Sequence, residues 1–201
     1  MKFYAHSINY SRLLADIDLD IGVEIDVRDF NGKLVLGHDP LGYNYEDLEN
    51  FLKNLEGRSV IANIKSERLE KPFISSLNKY SPFSDYFFLD SSLSIIANNG
   101  NNLNFASRFS EYESINTSIA LINASLVKWI WIDTFTKLPL DVSNVKTLNS
   151  LKAKKCLTSP DLLGRVKDIK IYAKKINDLG LNLDAICCKK ENIELWKSFL
   201  K

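Results

Sequence analysis

Gly22-Val23-Glu24-Ile25-Asp26-Val27-Arg28 is followed directly by Asp29-Phe30-Asn31-Gly32-Lys33-Leu34-Val35-Leu36-Gly37-His38. The first segment alternates β-branched and charged residues, and so reads as a strand. Residues two apart on a strand share a face, so Glu24 and Asp26 point the same way. Asn31-Gly32 is a strong hairpin signal. The strand is therefore expected to turn back on itself through Leu34-Val35-Leu36 and to deliver His38 at its end.

Strand-like and helical segments alternate outward from this point. Strands are predicted over residues 2–6, 22–28, 59–65, 86–90, 103–109, 128–133, 155–158 and 183–188, eight in all. Helical candidates lie near 9–16, 45–55, 67–79, 92–98, 114–120, 142–151, 165–179 and 192–200. The strands are mostly apolar rather than alternating, as suits parallel strands covered on both faces. Eight strand–helix units without a composition break predict an α/β chain, a small (β/α)8 TIM barrel, with a β-hairpin insertion after strand two. A single domain over 1–201 is expected, because Asn98-Asn99-Gly100-Asn101-Asn102 is too short to divide domains. At 201 residues the barrel lies near its lower size limit, so short or missing helices are expected. A doubly wound sheet is the alternative architecture.

The bulk numbers exclude several classes. Lys and Arg total 26 against 25 Asp and Glu, so no global field or basic stripe points to nucleic acid. Cys156, Cys187 and Cys188 are odd in number and lie in apolar strands, and they read as reduced core residues. There is no apolar run of signal-peptide or membrane-spanning type, so a cytoplasmic protein without a membrane span is expected. Phosphate-loop, dinucleotide and nucleophile-elbow signatures are also absent.

The chain has two histidines, His6 and His38, both at strand ends. With Glu24 and Asp26 between them, they form a common plan for metal-assisted acid–base chemistry on a phosphate ester. Two adjacent carboxylates repel each other, and Mg2+ or Ca2+ relieves that repulsion with oxygen ligands. The structural alternative is an ion pair with Arg28 or Lys65. Asn63 and Lys65 share a strand face, and Lys65 is placed to neutralise phosphate oxygens or to pair with Glu24 or Asp26. Arg108, Asp90, Glu111 and Asp133 fall at or just past strand ends and are candidate substrate contacts. Arg108 suits an anion clamp, and Asp133 is also a candidate helix cap. Trp129 and Trp131 read as core or barrel lining.

The set His6, Val23-Glu24-Ile25-Asp26-Val27, Asn31-Gly32 through His38-Asp39-Pro40, and Asn63-Ile64-Lys65 resembles the glycerophosphodiester phosphodiesterase family of the phospholipase C-like superfamily. The close resemblance covers about the first 65 residues. It implies His6 and His38 as the acid–base pair, Glu24 and Asp26 as ligands of one divalent cation, and Lys65 on the phosphate side. It also implies a small phosphodiester substrate, derived from lipid metabolism or from a glycan. Two positions depart from the family pattern. Ser7 stands where the family has an arginine, which leaves Arg108 or Arg28 to supply anion binding. Asn63 stands where it has a third carboxylate ligand, and an amide oxygen still serves Mg2+ or Ca2+. The Asn-Ile-Lys form is similar to a divergent branch associated with surface polysaccharides.

The leading expectation is a metal-dependent phosphodiesterase for a glycerol- or polyol-type diester. One alternative is a non-catalytic barrel that binds a phosphorylated ligand or a protein partner. Another is a barrel aldolase or isomerase with Lys65 as Schiff-base nucleophile.

Overall fold

Val23, Ile25 and Val27 are fully buried on one face of their strand, against the apolar sides of the surrounding helices. This pattern organises the computed structural model, which describes residues 1–42 and 44–200. In chain order the elements are β1 (Lys2–Ala5), β2 (Gly22–Phe30), β3 (Lys33–Leu36), β4 (Glu46–Asp47), α1 (Leu48–Lys53), β5 (Val60–Ile64), α2 (Glu70–Tyr80), β6 (Tyr86–Leu89), α3 (Leu93–Asn99), β7 (Ala106–Phe109), α4 (Ile115–Asn123), β8 (Trp129–Ile132), α5 (Val142–Ser150), β9 (Lys154–Thr158), α6 (Asp168–Leu179), β10 (Ala185–Cys188) and α7 (Ile193–Phe199). The helical candidate at 9–16 is a short 3-10 segment, Ser11–Asp16, rather than an α-helix.

The architecture is α/β, a central sheet with helices packed on it. Parallel ladders join β1 to β2, β2 to β5 and β5 to β6. Others join β7 to β8, β8 to β9, β9 to β10 and β10 to β1. Between β6 and β7 no ladder forms. One isolated parallel bridge links Phe88 to Phe105, with the Phe88 N–H donating to the Asn104 carbonyl at 2.7 Å.

β2 outruns its neighbours to Phe30 and pairs antiparallel with β3. The turn between them is Asn31-Gly32, both at positive φ (49° and 74°), which Asn and Gly tolerate best. Local signals fix other element ends. The Asp47 side chain accepts from the Glu49 and Asn50 N–H groups to start α1. Asp141 and Asn144 form a reciprocal capping box on α5. α6 stops at Gly180 in the left-handed region.

A second apolar cluster fills the sheet face turned away from the helices. It includes Tyr4, Ile61, Phe87, Leu89, Trp131, Cys156 and Cys187. Trp131 is 3% exposed there, and Trp129 stacks on Phe87 with ring centroids 4.3 Å apart. The three cysteines are free and buried. No helix among the described residues is long and apolar enough to cross a membrane.

Candidate active site

Glu24 and Asp26 lie on this second face of β2, toward the C-terminal ends of the strands, and are 0% and 1% exposed. Their register partners on β5 are Ile61 and Asn63. Two acids so deeply buried need partners, and the loop after β1 supplies most of them. Ser7 takes a left-handed backbone (φ 57°) and turns its N–H onto Glu24 Oε2 at 2.7 Å. His6 Nε2 stands 3.6 Å from the same oxygen. On the other side, Asn63 Nδ2 donates to Glu24 Oε1 at 3.0 Å.

Asp26 is held mainly by a residue that the sequence reading left out. Asn9 Nδ2 donates to Asp26 Oδ2 at 2.7 Å, while Asn9 Oδ1 accepts from the Asp26 N–H at 2.8 Å. Ser7 Oγ reaches the same carboxylate oxygen at 3.4 Å. Lys65 Nζ pairs with Asp26 Oδ1 at 3.3 Å. The only trace of Asn9 in the sequence is a short amide three residues past a strand end, a residue type that readily bonds nearby backbone.

Burial pushes the Glu24 carboxyl above its ordinary range, and the Asp26 charge adds to this. His6, the Ser7 N–H and Asn63 oppose the shift. His6, Glu24, Asp26, Asn63 and Lys65 are thus brought together. His38 stands apart at the rim. Its ring is 65% exposed and Nδ1 lies 2.9 Å from Asp39 Oδ1. Its backbone is nevertheless fixed: buried Arg28 donates to the Gly37 and His38 carbonyls, both at 2.8 Å. The Tyr45 ring lies where a Cβ on Gly37 would sit 2.4 Å from it, and the Tyr45 hydroxyl accepts from the Gly42 N–H.

The other candidates lie in a separate network. Arg108 is ion-paired on three sides. Its guanidinium pairs with Asp90 and Asp133, and Nε lies 3.7 Å from Glu113. Asp90 and Asp133 are therefore engaged with Arg108, and Asp133 also accepts from Trp131 Nε1. Asp133 does not cap α5, whose cap is Asp141. Glu111 ties two loops together, accepting from the Thr136 N–H and hydroxyl. Arg28 is likewise committed to carbonyl groups. Both arginines expected to replace the missing one beside His6 thus have other partners, Arg28 through Nε and Nη2 and Arg108 through its carboxylates.

The resemblance implies a divalent cation, and the donor set can be tested against it. Among the described residues no group of three or more His, Cys, Asp or Glu is placed to share a metal. The site instead offers two carboxylates and an amide. Asn63 Oδ1 is buried and accepts no hydrogen bond, while Nδ2 is the atom that this amide turns to Glu24. Carboxylate oxygens keep further lone pairs after one or two bonds. Carboxylate and amide oxygens are the donor types that a hard, oxygen-preferring ion takes, and the Asn63 amide would have to turn over to add its own.

No family model matches the chain, and no curated protein matches it. Solved structures do. A protein of Agrobacterium tumefaciens described as a glycerophosphoryl diester phosphodiesterase superposes with a TM-score of 0.68, at 12% identity over 98% of each chain. A glycerophosphodiester phosphodiesterase of Thermotoga maritima gives 0.66, at 15% identity, over 98% of this chain and 96% of that one. A second Agrobacterium glycerophosphodiester phosphodiesterase gives 0.60, at 13% identity, over 93% and 96%. The likeness is one of fold, end to end.

Proposed function

We propose that this chain is a phosphodiesterase acting on a small diester of glycerol or another polyol, carried on a small (β/α)8 barrel. The barrel reading is supported by the order of the parallel strands, which returns from β10 to β1, and by the Phe88–Phe105 bridge. The function rests above all on one observation: His6, two buried carboxylates and Lys65 converge at the C-terminal ends of β1, β2 and β5. Active sites of such barrels lie at that end.

In this reading Lys65 meets a phosphate oxygen with its ammonium group. Water or a neighbouring substrate hydroxyl attacks phosphorus, and the bond from phosphorus to the leaving alcohol breaks. One histidine takes the proton of the attacking oxygen, and the other gives a proton to the leaving oxygen. His6 is oriented by Glu24, and His38 approaches from the rim on the segment that Arg28 anchors. Glu24 and Asp26 would hold Mg2+ or Ca2+, joined by Asn63 Oδ1 once that amide turns over from its Nδ2–Glu24 hydrogen bond, and the ion would stabilise negative charge on the phosphoryl group.

Phosphorus NMR of a panel of glycerophosphodiesters, with Mg2+, Ca2+ or EDTA, tests the proposal. The expected result is a new monoester or cyclic-phosphate signal that EDTA removes. His6→Ala and His38→Ala should each slow its appearance by about 10²- to 10⁴-fold. Unchanged rates in either variant would remove that histidine from the mechanism.

The commitment of Arg28 and Arg108 to other groups favours a second reading, a domain that binds a phosphorylated ligand without cleaving it. That reading predicts a raised melting temperature with ligand and no new phosphorus signal.

A further inference from the structure

β10, the neighbour of β1 on the side away from β2, ends beside His6 with a lysine. The Lys2 N–H donates to the Asp184 carbonyl, and Lys2 stands opposite Ala185 in this parallel pair. The His6 N–H donates to the Cys188 carbonyl at 2.9 Å in the same pattern. His6 therefore stands opposite Lys189, one residue past the end of β10. Lys189 keeps an extended backbone (φ −64°, ψ 142°), so strand alternation still applies to it. Tyr4 and Cys187 oppose each other in the register, and both join the apolar cluster on the face that carries Glu24 and Asp26. Two residues further along each strand, His6 and Lys189 share that face, on strands about 4.8 Å apart.

Lys190 takes the opposite side. Its Nζ pairs with Asp16 Oδ2 at 3.1 Å, at the end of the 3-10 segment whose Leu14 packs into the helix-side core. Lys189 is exposed, and among the described residues its N–H has a hydrogen-bond partner while its ammonium group has none. Asp161 Oδ2 accepts that N–H at 3.1 Å and Asn192 Nδ2 at 2.6 Å. Asp161 is fully buried, so the backbone of Lys189 is anchored while its ammonium group is free to meet a ligand. The charges nearby leave room for another cation. Glu24 and Asp26 face one lysine, Lys65, which already lies 3.3 Å from Asp26. Ser7 brings no charge, and Arg28 and Arg108 have other partners.

We propose that Lys189 is the second cation of the phosphate site and donates to a non-bridging phosphate oxygen, with His6 between it and Glu24. It fills, from the far end of the chain, the place that Ser7 leaves without a charge. The proposal rests on the phosphodiester reading and adds a substrate-binding residue to it. An ammonium group that meets phosphate makes a charge-assisted hydrogen bond, stronger than a neutral one.

Calorimetric titration with glycerol 3-phosphate in Mg2+ tests this, because the monoester presents a phosphate group without a diester bond to cut. Lys189→Ala should weaken binding about tenfold, the scale of one hydrogen bond to a charged group, and Lys189→Arg should recover most of the loss. Lys190→Ala removes the same charge one residue away on the outer side, and should leave binding unchanged. Lys65→Ala should weaken it as well. Because the Lys189 ammonium group has no partner within the fold, the melting temperature without ligand should stay the same in both Lys189 variants. Unchanged affinity in Lys189→Ala, with weakened binding in Lys65→Ala, overturns the proposal and leaves the phosphodiester reading standing. Equal losses in Lys189→Ala and Lys190→Ala would reveal a diffuse field rather than a contact, and overturn it too. An unaltered protein that neither binds glycerol 3-phosphate nor cleaves any diester overturns both readings together.

Discussion

Glu24 shows how much a single side chain is asked to bear. It is buried, adjacent to a second acid, and satisfied by one backbone N–H and one amide. Its carboxyl holds its proton to higher pH in the folded chain than in the unfolded one. The unfolded chain therefore releases that proton first as pH rises, and stability falls across the interval between the two values. In EDTA, the melting temperature of the unaltered protein should drop relative to Glu24→Gln as pH rises above the ordinary glutamate value of about 4.3. A constant difference between the two proteins would show that Glu24 carries its charge as easily folded as unfolded. The cysteines illustrate the same physics without function. Burial raises the Cys156, Cys187 and Cys188 thiols, so little thiolate forms near neutrality. Ellman's reagent should find no fast thiol in the native chain and three after denaturation. A fast native thiol would contradict the packing.

At the scale of elements, the segment from β3 to β4 decides whether His38 is presented in a fixed pose. Arg28 holds two consecutive carbonyls, and the Tyr45 ring occupies the space above Gly37. Gly37→Ala should cost about 1–3 kcal/mol, because the new methyl meets an aromatic ring that has little room to move. In a Tyr45→Ala background the same substitution should cost much less. Denaturant melts of the four proteins of this double-mutant cycle measure the coupling, and additive costs would show that Tyr45 does not define the loop. The hairpin itself was legible from Asn31-Gly32, since the turn needs two positive φ values that few other residues accept. The grip of Arg28 on the loop was not. A guanidinium in a strand gives no sign of whether it will meet a carboxylate, a phosphate or a carbonyl.

At the scale of the fold, seven parallel ladders and one isolated bridge connect eight strands among the described residues. The β6–β7 seam is the thinnest joint, and the Arg108 network and a cavity of 530 Å³ both lie along it. Few backbone bonds cross it, so local opening should begin there. Hydrogen exchange read by mass spectrometry should show peptides over 104–109 losing protection before those over 22–28 and 60–64. Equal protection on both sides of the molecule would contradict a weak seam.

The sequence by itself determined the alternation of strands and helices. Seven helices and eight parallel strands lie within a few residues of the predicted spans, because apolar periodicity and turn residues are local properties of the chain. It also determined that Glu24 and Asp26 share a face, since that follows from strand geometry alone. Only the tertiary structure decided what those groups touch. Asn9 became the principal partner of Asp26, and Arg108 became surrounded by carboxylates from Asp90, Glu113 and Asp133. Charge pairing depends on distances of a few ångströms between segments far apart in the chain. Those distances are set by how strands and loops pack together, and no local pattern encodes them.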